Sequence, residues 1–168
     1  MSGAASVVWE PLFPDARCPA RATEESAGYD VHAHLEGRTV RIAFEGAVFE
    51  QRAAEGSPAR LELAPGHRAI VPLGFRARVP AGHEAQLRLR SSVAFRKGLI
   101  MPNAPGTIDA DYPDEWMVML KNDTAHPVAI EHGERIAQVV IARYVALDWE
   151  AGEVGITTSR RGGVGSTG

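Results

Sequence analysis

The chain has 168 residues, which is enough for one domain with a sizeable buried core. Its net charge of -3 gives no basic surface of the kind that binds duplex nucleic acid, and no apolar run approaches the roughly 18 residues of a membrane span. Cys18 is the only cysteine, which excludes an internal disulfide, and the N-terminal sequence lacks the basic and apolar regions of a secretory signal. We therefore expect a cytoplasmic protein with neither a nucleic-acid nor a membrane partner.

The spacing of glycines and prolines predicts an all-β fold. The 17 glycines and 11 prolines recur throughout and separate short apolar stretches, whereas long helical periodicity is hard to find. The sequence predicts a strand that starts within residues 5–13, an irregular segment over 14–25, and later strands at 67–80, 83–90, 115–120, 128–130 and 135–141.

Residues 36–64 have the pattern of a hairpin. Val40, Ile42 and Phe44 alternate with residues that suit the opposite face, which is the period of a half-buried strand. Gly46 permits a turn, and the residues after it can form the returning strand.

The segment from Ala27 to His34 combines small and polar residues. Ala27 and Gly28 let a neighbouring part of the chain approach closely, and the following residues continue as a strand in which Asp30 is an ordinary edge carboxylate. His32 and His34 have the period-two spacing that metal ligands can use. Two surface histidines are the more ordinary interpretation.

A phosphate-binding pattern begins at Arg90. The guanidinium of Arg90 is followed by the hydroxyls of Ser91 and Ser92, and such a trio can donate charge-assisted hydrogen bonds to phosphate oxygens. Residues 93–97 predict a short helix whose first N–H groups would face an anion. An alternative interpretation, compatible with the first, is that Ser91 caps this helix.

The next polar cluster runs from Asn103 to Tyr112. The turn signal at 103–106 lies between two apolar runs and predicts the tip of a hairpin. Asp109 and Asp111 have period-two spacing, so on a strand they would share one face and offer a general base.

Two features near the C-terminus allow either a structural or a functional interpretation. Gln138 lies inside an apolar run, so its amide needs a hydrogen-bond partner from the backbone or from a ligand. Residues 152–168 are rich in Gly, Ser and Thr and include Arg160 and Arg161. Composition alone indicates a disordered terminus, yet glycine-rich backbone can also wrap a phosphate group with its N–H donors.

Five segments, in order, resemble the motifs of the trimeric dUTPases (deoxyuridine triphosphate nucleotidohydrolases). They are AGYDV at 27–31, RSSVA at 90–94, NAPGTIDADY at 103–112, GERIAQ at 133–138 and GGVGSTG at 162–168. The resemblance implies a jelly-roll-like β-barrel of the dUTPase type, assembled as a homotrimer. It also implies a β domain over 1–151 and a flexible glycine-rich arm over 152–168. The family usually leads more directly from its first motif to the counterpart of residues 63–66, so 36–60 is expected to be an insertion.

The resemblance implies hydrolysis of dUTP to dUMP and diphosphate, which keeps dUTP low and supplies dUMP for thymidylate synthesis. Asp109 stands at the position of the general base that activates the attacking water. Mg²⁺ would bridge the triphosphate through phosphate oxygens and water. Asp30 would be its indirect partner through water, or would support the neighbouring chain's site.

The same resemblance assigns the substrate-binding positions, including an arm that comes from a different subunit. They are Arg90, Ser91, Ser92 and Gln138 for the phosphates, Asn103, Gly106, Thr107 and Ile108 for uracil, Tyr112 against the deoxyribose, and Arg160, Arg161, Gly163, Val164, Gly165, Ser166 and Thr167 in the arm.

Three positions depart from the family pattern. Val164 stands where the family has a phenylalanine that stacks on uracil, and Asp114 replaces a usual glycine. Direct register places Ser159 on the family's arm arginine, whereas a short deletion would place Arg160 or Arg161 there.

Two alternative functions fit parts of the sequence. A dUTPase-like trimer could sense nucleotide or dock a partner with weak turnover, and the altered arm and the insertion favour this alternative. A dCTP deaminase shares the Arg-Ser-Ser motif, but it carries a catalytic glutamate where this chain has Met119. A thioether cannot transfer protons, so deamination is disfavoured.

Overall fold

Short strands account for nearly all regular structure in the computed structural model, which describes residues 6–157. One helix, α1, occurs among these residues, and none of their helices is long and apolar enough to cross a membrane. The elements are β1 (Val8–Pro11), β2 (Ala20–Arg21), β3 (Tyr29–His32), β4 (Thr39–Phe44), β5 (Ala47–Arg52), β6 (Arg60–Leu63), β7 (Arg68–Pro72), β8 (Phe75–Arg78), β9 (His83–Leu89), α1 (Ser91–Lys97), β10 (Leu99–Ile100), β11 (Gly106–Ile108), β12 (Met117–Asn122), β13 (Val128–Glu131) and β14 (Arg135–Arg143).

The strands form two five-stranded antiparallel sheets, which confirms the all-β, jelly-roll-like prediction. One sheet has the order β10-β12-β7-β4-β5, and the other has the order β11-β9-β14-β3-β2. Two short pairs, β1-β8 and β13-β6, complete the architecture. Alternate residues of each central strand are buried, as at Val118 and Leu120 of β12 and at Ala85 and Leu87 of β9. The side chains on one face of every central strand therefore form the core.

The predicted hairpin is present as β4 and β5. Its two-residue turn, Glu45 and Gly46, has positive φ at both positions, as a type I′ turn requires. β4 is not a surface addition, because it also pairs with β7 and buries Val40 and Ile42 in the core. The expected insertion at 36–60 thus contains one strand that is integral to the sheet and one edge strand, β5.

The strand predicted over 67–80 is interrupted at Gly74. This glycine has φ 79°, and a Cβ there would lie 2.8 Å from the ring of His34, so no side chain fits. The interruption separates β7 from β8, and these two strands belong to different sheets.

The ring of His34 belongs to a polar group that links three distant parts of the chain. Nε2 of His34 lies 3.0 Å from Oδ1 of Asp15, and Nε2 of His132 lies 3.1 Å from Oδ2 of the same carboxylate. The backbone N–H groups of Leu35 and Glu36 donate to Nδ1 of His132 at 3.0 and 3.2 Å. The expectation of a surface histidine is therefore wrong for His34, which is 3% exposed.

The group of Asp15, His34 and His132 has the residue types of a metal site, but its hydrogen bonds indicate a structural role. One ligand atom from each of Asp15, His34 and His132 lies within 4.8 Å of the others. Nδ1 of His132 accepts two backbone hydrogen bonds, so the proton of the neutral ring is on Nε2, the atom that faces Asp15. A protonated Nε2 has no lone pair for a cation. We conclude that the two rings donate to Asp15 and hold the segment after β1 against the end of β3.

We expect Asp15→Asn to lower the free energy of unfolding by about 1 kcal/mol, because the amide replaces one of two acceptors with a donor that faces a ring N–H. The hydrogen bond from His34 lowers the pKa of Asp15. This contribution is therefore full above the ordinary aspartate range near pH 4 and is lost as pH falls through the lower folded pKa. Urea unfolding of both proteins between pH 7 and pH 3 tests this. A difference that does not shrink at low pH would contradict the assignment.

Candidate active site

The Arg90-Ser91-Ser92 trio lies where β9 passes into α1. Arg90 is the N-cap residue, in extended conformation, and it makes no side-chain capping bond, while Ser91 and Ser92 are the first exposed residues of the helix. The interpretation of Ser91 as the cap is therefore wrong. The short helix ends at Gly98, whose φ of 62° is left-handed and whose N–H donates to the carbonyl of Ala94.

A carboxylate on β3 holds the guanidinium of Arg90. Nε of Arg90 lies 3.1 Å from Oδ1 of Asp30, and Nη1 of Arg135 lies 3.2 Å from Oδ2. Arg90 also donates from Nη1 to the carbonyl of Arg135 at 3.4 Å. Only 14% of the Asp30 side chain is exposed, so this pairing is shielded from water. Asp30 thus fixes the direction of a predicted phosphate ligand.

Gln138 lies on the same face of the sheet as Asp30. The register of β14 places Gln138 opposite Asp30 of β3 on one side and opposite Arg88 of β9 on the other. The amide is half-buried on this polar face and is not part of the core. The structural alternative of a buried core amide is therefore wrong, and the position suits a ligand contact.

The loop over 103–106 is not the tip of a hairpin. β10 pairs with β12 in one sheet, whereas β11 pairs with β9 in the other, so the loop crosses between the sheets. Gly106 and Ile108 are buried, and Thr107 and Asn103 are exposed. The amide nitrogen of Asn103 would lie 3.4 Å from a Cβ at Gly106, so the Asn103 side chain covers this glycine. The uracil-binding candidates are thus adjacent in space.

Asp109 is exposed immediately after β11 ends. The N–H of Tyr112 donates to the carbonyl of Asp109 at 3.2 Å, which closes a turn over 109–112. The prediction that Asp109 and Asp111 share a strand face is therefore wrong, because no strand continues there. The ring of Tyr112 is half-buried against the core, and its hydroxyl donates to the carbonyl of Glu115 at 3.4 Å.

The structure does not bring Asp109 and Arg90 together within one chain. Ile108 pairs with Ala85 of β9, whereas the guanidinium of Arg90 lies at Asp30, which the register places level with Arg88, about 10 Å along the strand from Ala85. Arg90 is held on β3, three strands across the sheet from β11, which adds about 14 Å in the perpendicular direction. The predicted base and the predicted phosphate ligands therefore cannot contact one phosphate from the same copy.

Sequence analysis missed Arg135 as a member of the site and His132 as the partner of Asp15. Arg135 lies within the fourth family-like motif, and its contact with Asp30 was signalled only by the pairing of β3 with β14. His32 takes no part in the Asp15 group, and burial lowers the pKa of its ring. The arm positions Arg160, Arg161, Gly163, Val164, Gly165, Ser166 and Thr167 lie outside the described residues.

Comparisons with known proteins identify the family of this chain. The family model described as dUTPase matches residues 56–168. The chain is 46% identical over 123 residues to the deoxyuridine 5'-triphosphate nucleotidohydrolase of Rhizobium meliloti (strain 1021), covering 73% of this chain and 77% of that protein. It is 42% identical over 151 residues to the enzyme of the same name from Rhizobium rhizogenes (strain K84 / ATCC BAA-868), covering 89% and 84%.

Solved structures show the same fold. The dUTPase of Staphylococcus bacteriophage 80alpha, solved with dUPNHPP, aligns with a TM-score of 0.73 at 24% identity and covers 97% of this chain and 98% of that chain. The dUTPase from Streptococcus mutans aligns with a TM-score of 0.63 at 26% identity and covers 84% and 99%. The family match extends over most of the chain and includes the residues from Arg90 to Gln138 described above, so this chain belongs to the dUTPase family.

Proposed function

We propose that this protein hydrolyses dUTP to dUMP and diphosphate, with Asp109 as the general base. The observation that carries the proposal is the 46% identity to a named deoxyuridine 5'-triphosphate nucleotidohydrolase, together with the exposed Asp109 directly after β11. A water oxygen attacks the α-phosphorus, the bond to the β-phosphate oxygen breaks, and the water proton passes to Asp109. Such an enzyme keeps dUTP low, supplies dUMP, and acts where deoxynucleotides are made, in the cytoplasm.

The site residues divide by the part of dUTP that they bind. Asn103 and the backbone of 106–108 read the uracil edge, because cytosine presents a donor where uracil presents an acceptor. The Tyr112 ring, held by core packing and by its hydroxyl, fills the space of a 2′-hydroxyl. The phosphate ligands are Arg90, Ser91, Ser92 and Gln138.

Asp30 fits an indirect but not a direct contact with Mg²⁺. Both of its oxygens already accept from arginines, so direct coordination would displace one of those pairs. Each carboxylate oxygen has a second lone pair, which can accept from a metal-bound water. Mg²⁺ usually keeps several waters and is bound through substrate phosphates, where it would neutralise charge on the triphosphate. A related phage phi11 dUTPase was solved with a structural Mg(II) ion.

We also propose that the active form is a homotrimer in which neighbouring copies complete each site. The separation of Asp109 from Arg90 within one chain supports this. So does the segment after β14, where Val145, Leu147 and Trp149 are almost fully exposed. Trp9 and Trp116 line an apolar cavity of about 410 Å³. Their buried indole N–H groups have no hydrogen-bond partner among the described residues. Exposed apolar chain and an unfilled apolar cavity are both explained by contact between copies.

The arm over 152–168 would close over the phosphates of bound nucleotide and bring Arg160 or Arg161 and the N–H groups of Gly163 and Gly165 to them. Ser166 and Thr167 would add hydroxyl donors. Val164 lacks the ring that stacks on uracil in this family, so closure here would depend on the phosphates more than on the base.

Asp109→Asn tests the proposed reaction. The amide keeps the shape of the side chain but cannot take the proton, so kcat on dUTP should fall on the order of 10²–10⁴-fold while a non-hydrolysable analogue still binds. Turnover with Mg²⁺ is compared across dUTP, dCTP, dTTP and dATP, and the wild type should act on dUTP alone. Near-normal kcat in the variant would remove Asp109 from the role of base, and Asp111→Asn is the matched variant to try next.

Tyr112→Ala should raise kcat/KM on UTP relative to dUTP, because the ring excludes the 2′-hydroxyl by contact. Tyr112→Phe is the control, since it keeps the ring and removes only the hydroxyl bonded to Glu115, and its ratio should match the wild type. Equal ratios in all three proteins would show that the sugar is read elsewhere.

Val164→Phe should tighten binding of a non-hydrolysable dUTP analogue by about 0.5–1.5 kcal/mol, the usual gain from an aromatic stacking pair. Val164→Leu adds apolar volume without a ring and should leave Kd close to that of the wild type. The dissociation constants are measured by calorimetry. A gain with leucine equal to that with phenylalanine would assign the effect to apolar contact and not to stacking.

A further inference from the structure

Gly28 lies against the side chain of Gln138 at the start of β3. A Cβ placed on Gly28 would lie 3.1 Å from Cβ of Gln138 and 2.9 Å from its Cδ, and closer still to Oε1. Real side chains do not approach this closely, so the Gln138 amide occupies the space that any other residue at 28 would fill. The backbone of Gly28 is not in the left-handed region, so conformation alone does not require glycine here.

The absence of a Cβ at position 28 permits the rotamer that Gln138 adopts. Its Cβ is anchored in β14, between β3 and β9, and cannot move without disturbing both neighbours. Only the amide end can yield, so a methyl group at position 28 would turn the amide away from its present direction. The backbone of residue 28 thus forms the surface on which the amide lies.

We propose that Gly28 is a positioning residue for the dUTPase reaction, because its bare backbone orients the Gln138 amide toward the triphosphate. This rests on the proposed function, in which Gln138 binds the phosphates. Arg90, the other proposed phosphate ligand, is oriented from the same segment, because it pairs with Asp30, two residues after Gly28. Gly28 itself touches no substrate atom, and its effect passes through Gln138.

The test is a double-mutant cycle of Gly28→Ala, Gln138→Ala and the two combined, in the full chain. Gly28→Ala should weaken binding of dUpNHpp by about tenfold to a hundredfold, the usual effect of losing a hydrogen bond to a charged group. Affinity for dUMP, which lacks the two outer phosphates, should change less. In the Gln138→Ala background, which has no amide to displace, Gly28→Ala should add less than about a threefold change.

Each outcome of the cycle decides a separate point. Additive effects in the double variant, or wild-type binding by Gly28→Ala, would overturn the positioning role. If Gly28→Ala fails to fold, it is combined with Gln138→Gly, which removes both the amide and the Cβ that lies 3.1 Å away. That combination should fold, and its failure to fold would overturn the proposal. A wild-type protein that does not hydrolyse dUTP contradicts the proposed function, whereas hydrolysis at equal rates by wild type and Gly28→Ala contradicts only this inference.

Discussion

The exposed position of Gln138, and with it the proposed phosphate-binding face, depends on a single irregularity in β14. The register shifts between Arg135 and Ala137, which leaves Ile136 as an extra residue against β3. Without it, strict alternation from the buried Ile136 would turn Gln138 into the core. The extra residue is a β-bulge, and it reverses which residues of β14 face the core from that point on. Ile136 and Ala137 are therefore both buried, and Gln138 lies on the other face, opposite Asp30. One extra residue therefore places an amide from an apolar run on the half-buried face beside Asp30.

Alternation and turn chemistry predicted much of the sheet structure. The strands at 83–90, 128–130 and 135–141 and the turn at Gly46 were found where the pattern indicated them. Two of the predictions that failed depend on partners remote in sequence. Nothing near 103–106 indicates that the strands on either side join different sheets, and nothing near His34 indicates that Asp15 and His132 bury it. Local pattern predicts which residues face inward but not which strand lies beside them.

In the candidate site, too, the sequence indicated the residue types but not their spatial arrangement. Residue types indicated Arg90, Ser91, Ser92 and Asp109 as candidates, because a guanidinium and two hydroxyls can donate to phosphate oxygens and a carboxylate can accept a proton. Their geometry was not predictable, because the pair between Asp30 and Arg90 joins β3 to the end of β9 across β14. Family resemblance supplied the roles, and the sheet register supplies the distances.

The pairing of Asp30 with two arginines also explains how two guanidinium groups can lie together before any phosphate arrives. Arg90 and Arg135 repel each other, and the shielded carboxylate between them offsets that repulsion through one oxygen each. Two positive charges and one negative charge leave a net positive cluster, which suits the proposed binding of a triphosphate. Because the guanidinium of Arg90 is already oriented, it would lose little side-chain entropy on binding. In the proposed reaction this order matters, because Asp109 of the same chain is too far away to contact the phosphates that Arg90 would bind. If Asp109 is the base and Arg90 binds the phosphates, as proposed, the base comes from another copy, and a rigid face around Arg90 helps the two copies to position one phosphorus atom.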